Sequence, residues 1–110
     1  MRVLVTGHLG YIGTVMVPML LEAGHQVVGY DSNLYERCTF SVGGDIADVP
    51  HIRKDTRDAA KSDLEGIDAV IHLAALSNDP LSNLNSDMTY AINHRASVQL
   101  AQLAKQAGVQ

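Results

Sequence analysis

Apolar residues along this chain follow two alternating rhythms. Val3-Leu4-Val5 is a short unbroken apolar run closed by Thr6-Gly7. Such a run predicts a strand buried on both faces. From Tyr11 to Ala23 the apolar positions Ile12, Val15, Met16, Met19, Leu20 and Ala23 recur at helical spacing, and Gly24 supplies a stop. Pro18 lies inside that helix, removes one amide donor and predicts a bend. The strand rhythm returns in "HQVVGYD", residues 25–31, which ends in an acid. Residues 32–50 carry Gly43-Gly44 and Pro50 and predict a surface loop with at most one short helix. "HIRKD", residues 51–55, predicts a short third strand. Residues 57–66 predict a weak helix closed by Gly66, and "DAVIHLAA", residues 68–75, a strong fourth strand. Turn-forming residues follow in "LSNDPLSNLN". The last segment, about Asp87 to Ala107, carries the stripe Met88, Ile92, Ala96, Leu100, Leu103 and Ala107 before Gly108.

Strands alternating with helices imply an α/β fold of parallel βαβ units. Right-handed crossovers then place the first strand centrally, in a Rossmann-type doubly wound sheet of about four strands with order 3-2-1-4.

Composition narrows the functional classes. The 110 residues are 46% hydrophobic and 18% charged, ordinary globular usage for one domain or part of one. A net charge of −4, with Lys and Arg scattered apart from "RKDTR" at residues 53–57, argues against a nucleic-acid or anionic-membrane surface. The apolar stretch Val15–Leu21 is interrupted by Pro18 and is too short to span a bilayer. "MRVLVTG" does not read as a signal peptide. Cys38, the only cysteine, reads as a bland free thiol and suits a reducing, cytoplasmic setting. His8, His25, His51, His72 and His94 lie apart without ligand spacing, so no metal site is expected.

The chemistry lies in "VTGHLGYIG", residues 5–13. A glycine turn between a buried strand and a helix brings bare amides to the helix's positive end, where an anion such as a pyrophosphate binds. Gly7 permits a sharp turn, Gly10 lets a phosphate approach, and Gly13 lets the helix lie close to the first strand. Asp31 ends the next strand, placed to accept the ribose hydroxyls of NAD. It would also repel a 2′-phosphate, since like charges about 4 Å apart cost roughly 1 kcal/mol in water and about 4 kcal/mol near a protein surface. No base directly follows it, Arg37 being the nearest, so NAD is favoured over NADP.

These features resemble the N-terminal part of the extended short-chain dehydrogenases/reductases, in the NAD-dependent epimerase/dehydratase branch that includes UDP-glucose 4-epimerase and nucleotide-sugar dehydratases. The family's Thr-Gly-x-x-Gly-x-x-Gly stands here as "TGHLGYIG", its acidic segment after the third strand as "KDTRD", its His-x-Ala-Ala as "HLAA", and its Asn-Val-x-Gly-Thr as "NHRAS". The last of these keeps only Asn93 firmly, and His8 and Leu9 occupy variable positions. The resemblance implies a cofactor set of Gly7, Gly10, Tyr11, Ile12 and Gly13 on the turn, then Asp31, Ser32 and Asn33. It places Asp55 against the adenine amino group with the Thr56 backbone beside it. Leu73, Ala74 and Ala75 line the cofactor, and Asn93 fixes neighbouring backbone. Ser77 is a candidate contact for the nicotinamide side or the substrate, with turn chemistry an equal account of Ser77, Asn78 and Asp79.

The family's catalytic Tyr-x-x-x-Lys has no counterpart here. Tyr11, Tyr30, Tyr35 and Tyr90 are followed at the fourth position by Val15, Leu34, Thr39 and His94. Residues 1–110 are therefore expected to be the N-terminal part of an NAD-binding domain, with the fifth strand and substrate lobe absent, no catalytic residue, and no turnover alone. The expected activity of the complete enzyme is hydride transfer on a nucleotide sugar. The alternatives are a non-catalytic dinucleotide-binding sensor or regulatory module, and a reductase of a non-sugar carbonyl. An unpaired outer edge on the fourth strand would favour a homo-oligomer or marginal stability.

Overall fold

The computed structural model describes residues 1–34, 46–77 and 83–110. Four parallel strands form one sheet in the order β3-β2-β1-β4, with β1 at Arg2–Thr6, β2 at Gln26–Asp31, β3 at His51–Arg53 and β4 at Ala69–His72. This is the order that right-handed crossovers predict, in a partial Rossmann-type fold.

The unbroken apolar run of β1 feeds two cores. Leu4 points to one face, where Val28, Tyr30, Ala59, Leu64, Ile67 and Leu100 pack around it. Val3 and Val5 point to the other, against Val17, Val27 and Val49. Helix α1 (Gly13–Glu22) covers that second face. The first face is covered by α3 (Ala96–Ala107) and by two short 3₁₀ turns, Thr56–Asp58 and Lys61–Leu64.

Three local expectations change. Residues 57–66 do not form a helix. Asp55 caps the first turn by accepting from the Arg57 amide, and Ala59 and Ala60 are extended or near-extended between the two turns. Helix α1 buries Gly13 and Val17, with Met16 and Leu20 half-buried, whereas Val15 and Met19 are 62% and 63% exposed. Its inward face is thus turned by about a quarter turn from the predicted stripe, and Val15 and Met19 lie outside the core. The helix continues through Pro18. The final helix is not uniform either. Helix α2 (Ser86–Tyr90), capped by the Asn85 side chain, passes into a π turn at Ala91–Arg95 before α3 begins. Gly108, in a left-handed conformation, ends α3. The expected short helix within residues 32–50, together with Cys38, Asn78 and Asp79, falls wholly or partly outside the described residues.

The outer edge of β4 is not bare along its whole length. Val70 donates to the Gln110 carbonyl at 2.7 Å, and Gln110 donates to Asp68 at 3.1 Å. The backbone after Gly108 has thus begun a parallel pairing on that edge.

Leu4 is fully buried at the centre of the sheet. Leu4→Ala should cost about 2–5 kcal/mol of unfolding free energy, whereas Gln106→Ala on the exposed side of α3 should stay within about 0.5 kcal/mol. Denaturant unfolding of the two variants checks both values.

Candidate functional site

The glycine turn is built by close backbone approaches. Gly7 adopts φ +72°, and a Cβ there would sit 2.9 Å from the Ala74 amide nitrogen. Its amide donates to the Tyr30 carbonyl at 2.7 Å, so the turn is fastened across β2 as well as under β4. A Cβ on Gly13 would lie 2.5 Å from the Gly7 carbonyl and 2.6 Å from His8. Gly13 therefore lets α1 pack onto the turn itself rather than onto β1. A Cβ on Gly10 would meet only the Gly7 carbonyl, at 3.1 Å. Bonding into the helix begins with the Thr14 amide on Gly10. Amides just before Thr14 precede the first helical acceptors, which leaves donors for an anion.

Asp31 ends β2 beside this turn. One carboxylate oxygen accepts the Leu9 amide at 3.1 Å and the other accepts the Asn33 amide at 2.7 Å. Asn33 has φ 55°, a left-handed conformation that Asn tolerates better than most residues. The carboxylate is thus oriented from two directions.

The opposite wall is fixed by a proton-ordered chain. Thr6 Oγ1 accepts the Leu73 and Ala74 amides at 3.2 and 3.3 Å, so its own proton goes to His72 Nδ1 at 2.6 Å. His72 Nε2 must then carry the other ring proton and donate to Ser97 Oγ at 2.8 Å, and Ser97 donates to the Asn93 carbonyl at 3.0 Å. The Asn93 amide clamps Leu76, accepting from its nitrogen at 2.8 Å and donating to its oxygen at 2.9 Å. Segment 73–76 is thereby held from β1 and from the π turn together.

At the third edge, Asp55 is engaged by Arg57 through Nε at 3.0 Å and Nη2 at 2.7 Å. That guanidinium holds the Asp55 carboxyl below its ordinary range. Buried Tyr30 donates to the Asp55 carbonyl at 3.3 Å. Burial, reinforced by Asp63, Asp58 and Asp55, pushes the Tyr30 phenol up, so it stays a neutral donor. Lys54 pairs with both Asp63 oxygens at 3.0 Å.

These walls enclose a cleft of about 790 Å³. The structure brings fourteen of the fifteen expected residues to its lining: Gly7, Gly10, Tyr11, Ile12 and Gly13; Asp31, Ser32 and Asn33; Asp55 and Thr56; Leu73, Ala74, Ala75 and Ser77. Asn93 stands outside and acts through Leu76. Leu9, Thr14, Leu34, Ile46, Lys54, Leu76 and Ile92 also line the cleft and were not expected. Leu9 and Thr14 lie within or beside the glycine motif, and Lys54 adjoins Asp55, so their neighbours carried the signal. Ile46 and Ile92 gave none beyond hydrophobicity. No cluster able to hold a metal occurs among the described residues. No helix among them is long and apolar enough to cross a membrane.

Two histidines stand at the turn, His8 buried within it and His72 half-buried at the end of β4. Burial pushes both His8 and His72 below the ordinary 6.5, in His8 against the opposing pull of Asp31. Protonating His72 would also take away the acceptor for the Thr6 hydroxyl. As pH falls below about 6.5 the unfolded chain takes up these protons before the folded one does. Stability is full above that pH and declines as pH drops toward the folded-state values. The melting temperature should therefore fall between pH 7 and pH 5, and His72→Gln should flatten that slope. Thermal unfolding across a pH series checks both, and a melting temperature that rises on acidification would refute the assignment.

The sequence profile of the NAD dependent epimerase/dehydratase family matches residues 3–110. UDP-glucose 4-epimerase of Mycolicibacterium smegmatis is 34% identical over 116 residues, covering 99% of this chain and 36% of that protein. 3 beta-hydroxysteroid dehydrogenase/Delta 5-->4-isomerase of Mycobacterium tuberculosis (strain CDC 1551 / Oshkosh) is 31% identical over 117 residues, covering 99% and 30%. Among solved structures, UDP-glucose 4-epimerase of Thermus thermophilus, in complex with NAD, superposes with a TM-score of 0.83 at 28% identity, covering all of this chain and 35% of that one. The chain thus spans about a third of the length of these relatives. With the strand order, the glycine turn and the acid after β2 in place, this chain belongs to the NAD-dependent epimerase/dehydratase family, an enzyme family built on this Rossmann-type sheet.

Proposed function

We propose that residues 1–110 form the NAD-binding part of an oxidoreductase that epimerises or dehydrates a nucleotide sugar. One observation carries this reading: the Asp31 carboxylate, oriented by the Leu9 and Asn33 amides, shares a cleft with the glycine turn. That cradle fits a dinucleotide. Gly7 and Gly13 leave no room for a Cβ, Gly10 is bare on all sides but one, and an acid stands where a ribose would follow a pyrophosphate. When bound, NAD supplies a hydride acceptor and donor.

The chain's own residues bind and orient. Amides of the turn receive the pyrophosphate, and Asp31 accepts from the ribose hydroxyls. The Asp55–Thr56 backbone lies at the adenine end, with the Asp55 carboxylate shared with Arg57. Leu73 to Ala75 present small apolar surface, and Ser77 lies toward the reacting end. The proton-transferring pair belongs to sequence outside these residues, so residues 1–110 alone should bind cofactor without turnover. The Mycobacterium tuberculosis hydroxysteroid dehydrogenase, at 31% identity over the same residues, favours a second reading, in which the substrate is a non-sugar alcohol or carbonyl.

Two substitutions test the cleft. Asp31→Ala should weaken NAD binding roughly tenfold or more, the worth of hydrogen bonds to a charged group, and should narrow the preference over NADP. Calorimetric titration with both dinucleotides measures this, and an unchanged preference would remove Asp31 from the ribose. Gly10→Val should abolish dinucleotide binding by filling the phosphate's space while the fold persists, and retained affinity would show the turn to be misread.

A further inference from the structure

On the face that α1 covers, one row of residues crosses the sheet as Ile71, Val5, Gly29 and His51. Gly29 leaves a gap in that row. The gap is filled from the glycine turn, by the side chain of His8. A Cβ on Gly29 would run into Cδ2, Nε2 and Cε1 of the His8 ring. His8 is only 4% exposed, and its ring centroid lies 5.7 Å from that of His51. Its Nδ1 is buried without a partner among the described residues. A buried polar ring with one nitrogen unsatisfied among the described residues is a poor choice for packing alone. Its position in the chain supplies the reason. Residue 8 precedes Leu9, whose amide holds one oxygen of Asp31, while among the described residues the other oxygen is held from within its own turn by Asn33.

We propose that His8 is a positioning residue for cofactor choice: by docking in the gap left by Gly29, its imidazole keeps the Leu9 amide on the Asp31 carboxylate and so sets the orientation in which that carboxylate meets a ribose. The inference rests on the reading of Asp31 given above. It makes His8 and Gly29 one unit. The ring can dock only where residue 29 has no side chain, and an empty position 29 needs the ring. If the ring leaves, the Asp31 carboxylate keeps its local Asn33 contact and loses its tie to the phosphate-binding turn.

Four forms of the full chain decide it: wild type, His8→Ala, Gly29→Ala and the double variant. Melting temperature and affinities for NAD and NADP are measured for each, with Leu4→Ala as a purely destabilised control. Gly29→Ala should expel the ring, lower the melting temperature and weaken NAD binding roughly tenfold, the worth of one charge-assisted hydrogen bond. His8→Ala should weaken NAD binding similarly and narrow the NAD to NADP ratio, which Leu4→Ala should leave unmoved. In the double variant the clash is gone, so it should melt no lower and bind NAD no worse than His8→Ala. That non-additivity marks direct contact. Should Gly29→Ala fail to fold, a folded double variant is the same result in stronger form. Additive losses, or a ratio unmoved in His8→Ala while wild type binds NAD, would overturn this inference alone. Failure of wild type to bind NAD would overturn the reading of the cleft and this inference with it.

Discussion

Thr6 is where both walls of the cleft meet. It is 1% exposed at the end of β1, with Gly7 turning away immediately after it. Its hydroxyl oxygen takes two amides from the start of segment 73–76, and its proton goes to His72. A buried hydroxyl that must satisfy three partners can do so in only one arrangement. That arrangement sets how near β4 comes to β1, and the approach is so close that only glycine fits at residue 7. Valine would keep the shape of threonine and lose the hydroxyl, leaving the Ala74 amide and a ring nitrogen without their present partner and the Leu73 amide with the residue 6 carbonyl alone. The site is therefore held by a hydrogen-bond pattern at a strand end, with the glycines as its steric consequence.

The two faces of the sheet serve this junction differently. Leu4 and its neighbours, beneath α3 and the two 3₁₀ turns, are packed by large side chains from several elements. The other face is thinner, with Val17 as the fully buried side chain of α1. There the turn contributes to the core directly, through His8. On that side, core and glycine turn thus share one side chain, buried against Gly29.

The sequence made legible whatever depends on local backbone need. Three glycines after an apolar run, an acid at the end of the next strand and alternating element types were enough for the sheet order, and together with the family resemblance they gave about two-thirds of the cleft lining. Properties that depend on which neighbour an element meets were less visible. In α1, Val15 and Val17 are equally apolar, and only the position of Gly13 against the turn rotates Val17 inward. In residues 57–66 the Asp55 cap and the extended backbone at Ala59 and Ala60 break what composition alone would make a weak helix. The π turn left a trace that is clear once seen. Met88, Ile92, Ala96 and Leu100 recur every four residues, and on an α-helix each such step drifts by about 40°. A wider turn at Ala91–Arg95 takes up the drift and brings Asn93 to Leu76. The hydrogen-bonding role of His72 was not legible because it needs Thr6 and Ser97, 66 and 25 residues away.

A cleft built this way tolerates divergence. The surface of its turn is largely main chain, which any sequence supplies provided glycines stand at the points of close approach. Its side-chain contacts reduce to a few, Asp31 tied to the turn and Thr6, His72 and Asn93 placing segment 73–76. About two-thirds of the aligned positions differ from the Mycolicibacterium and Mycobacterium relatives, yet main-chain geometry of this kind does not depend on those side chains. The same economy is consistent with one such sheet resembling relatives named for sugar epimerisation and for steroid oxidation. Nothing in a pyrophosphate cradle or a ribose-binding carboxylate responds to the chemistry at the far end of the cofactor, so the reaction can change without disturbing the Thr6 junction.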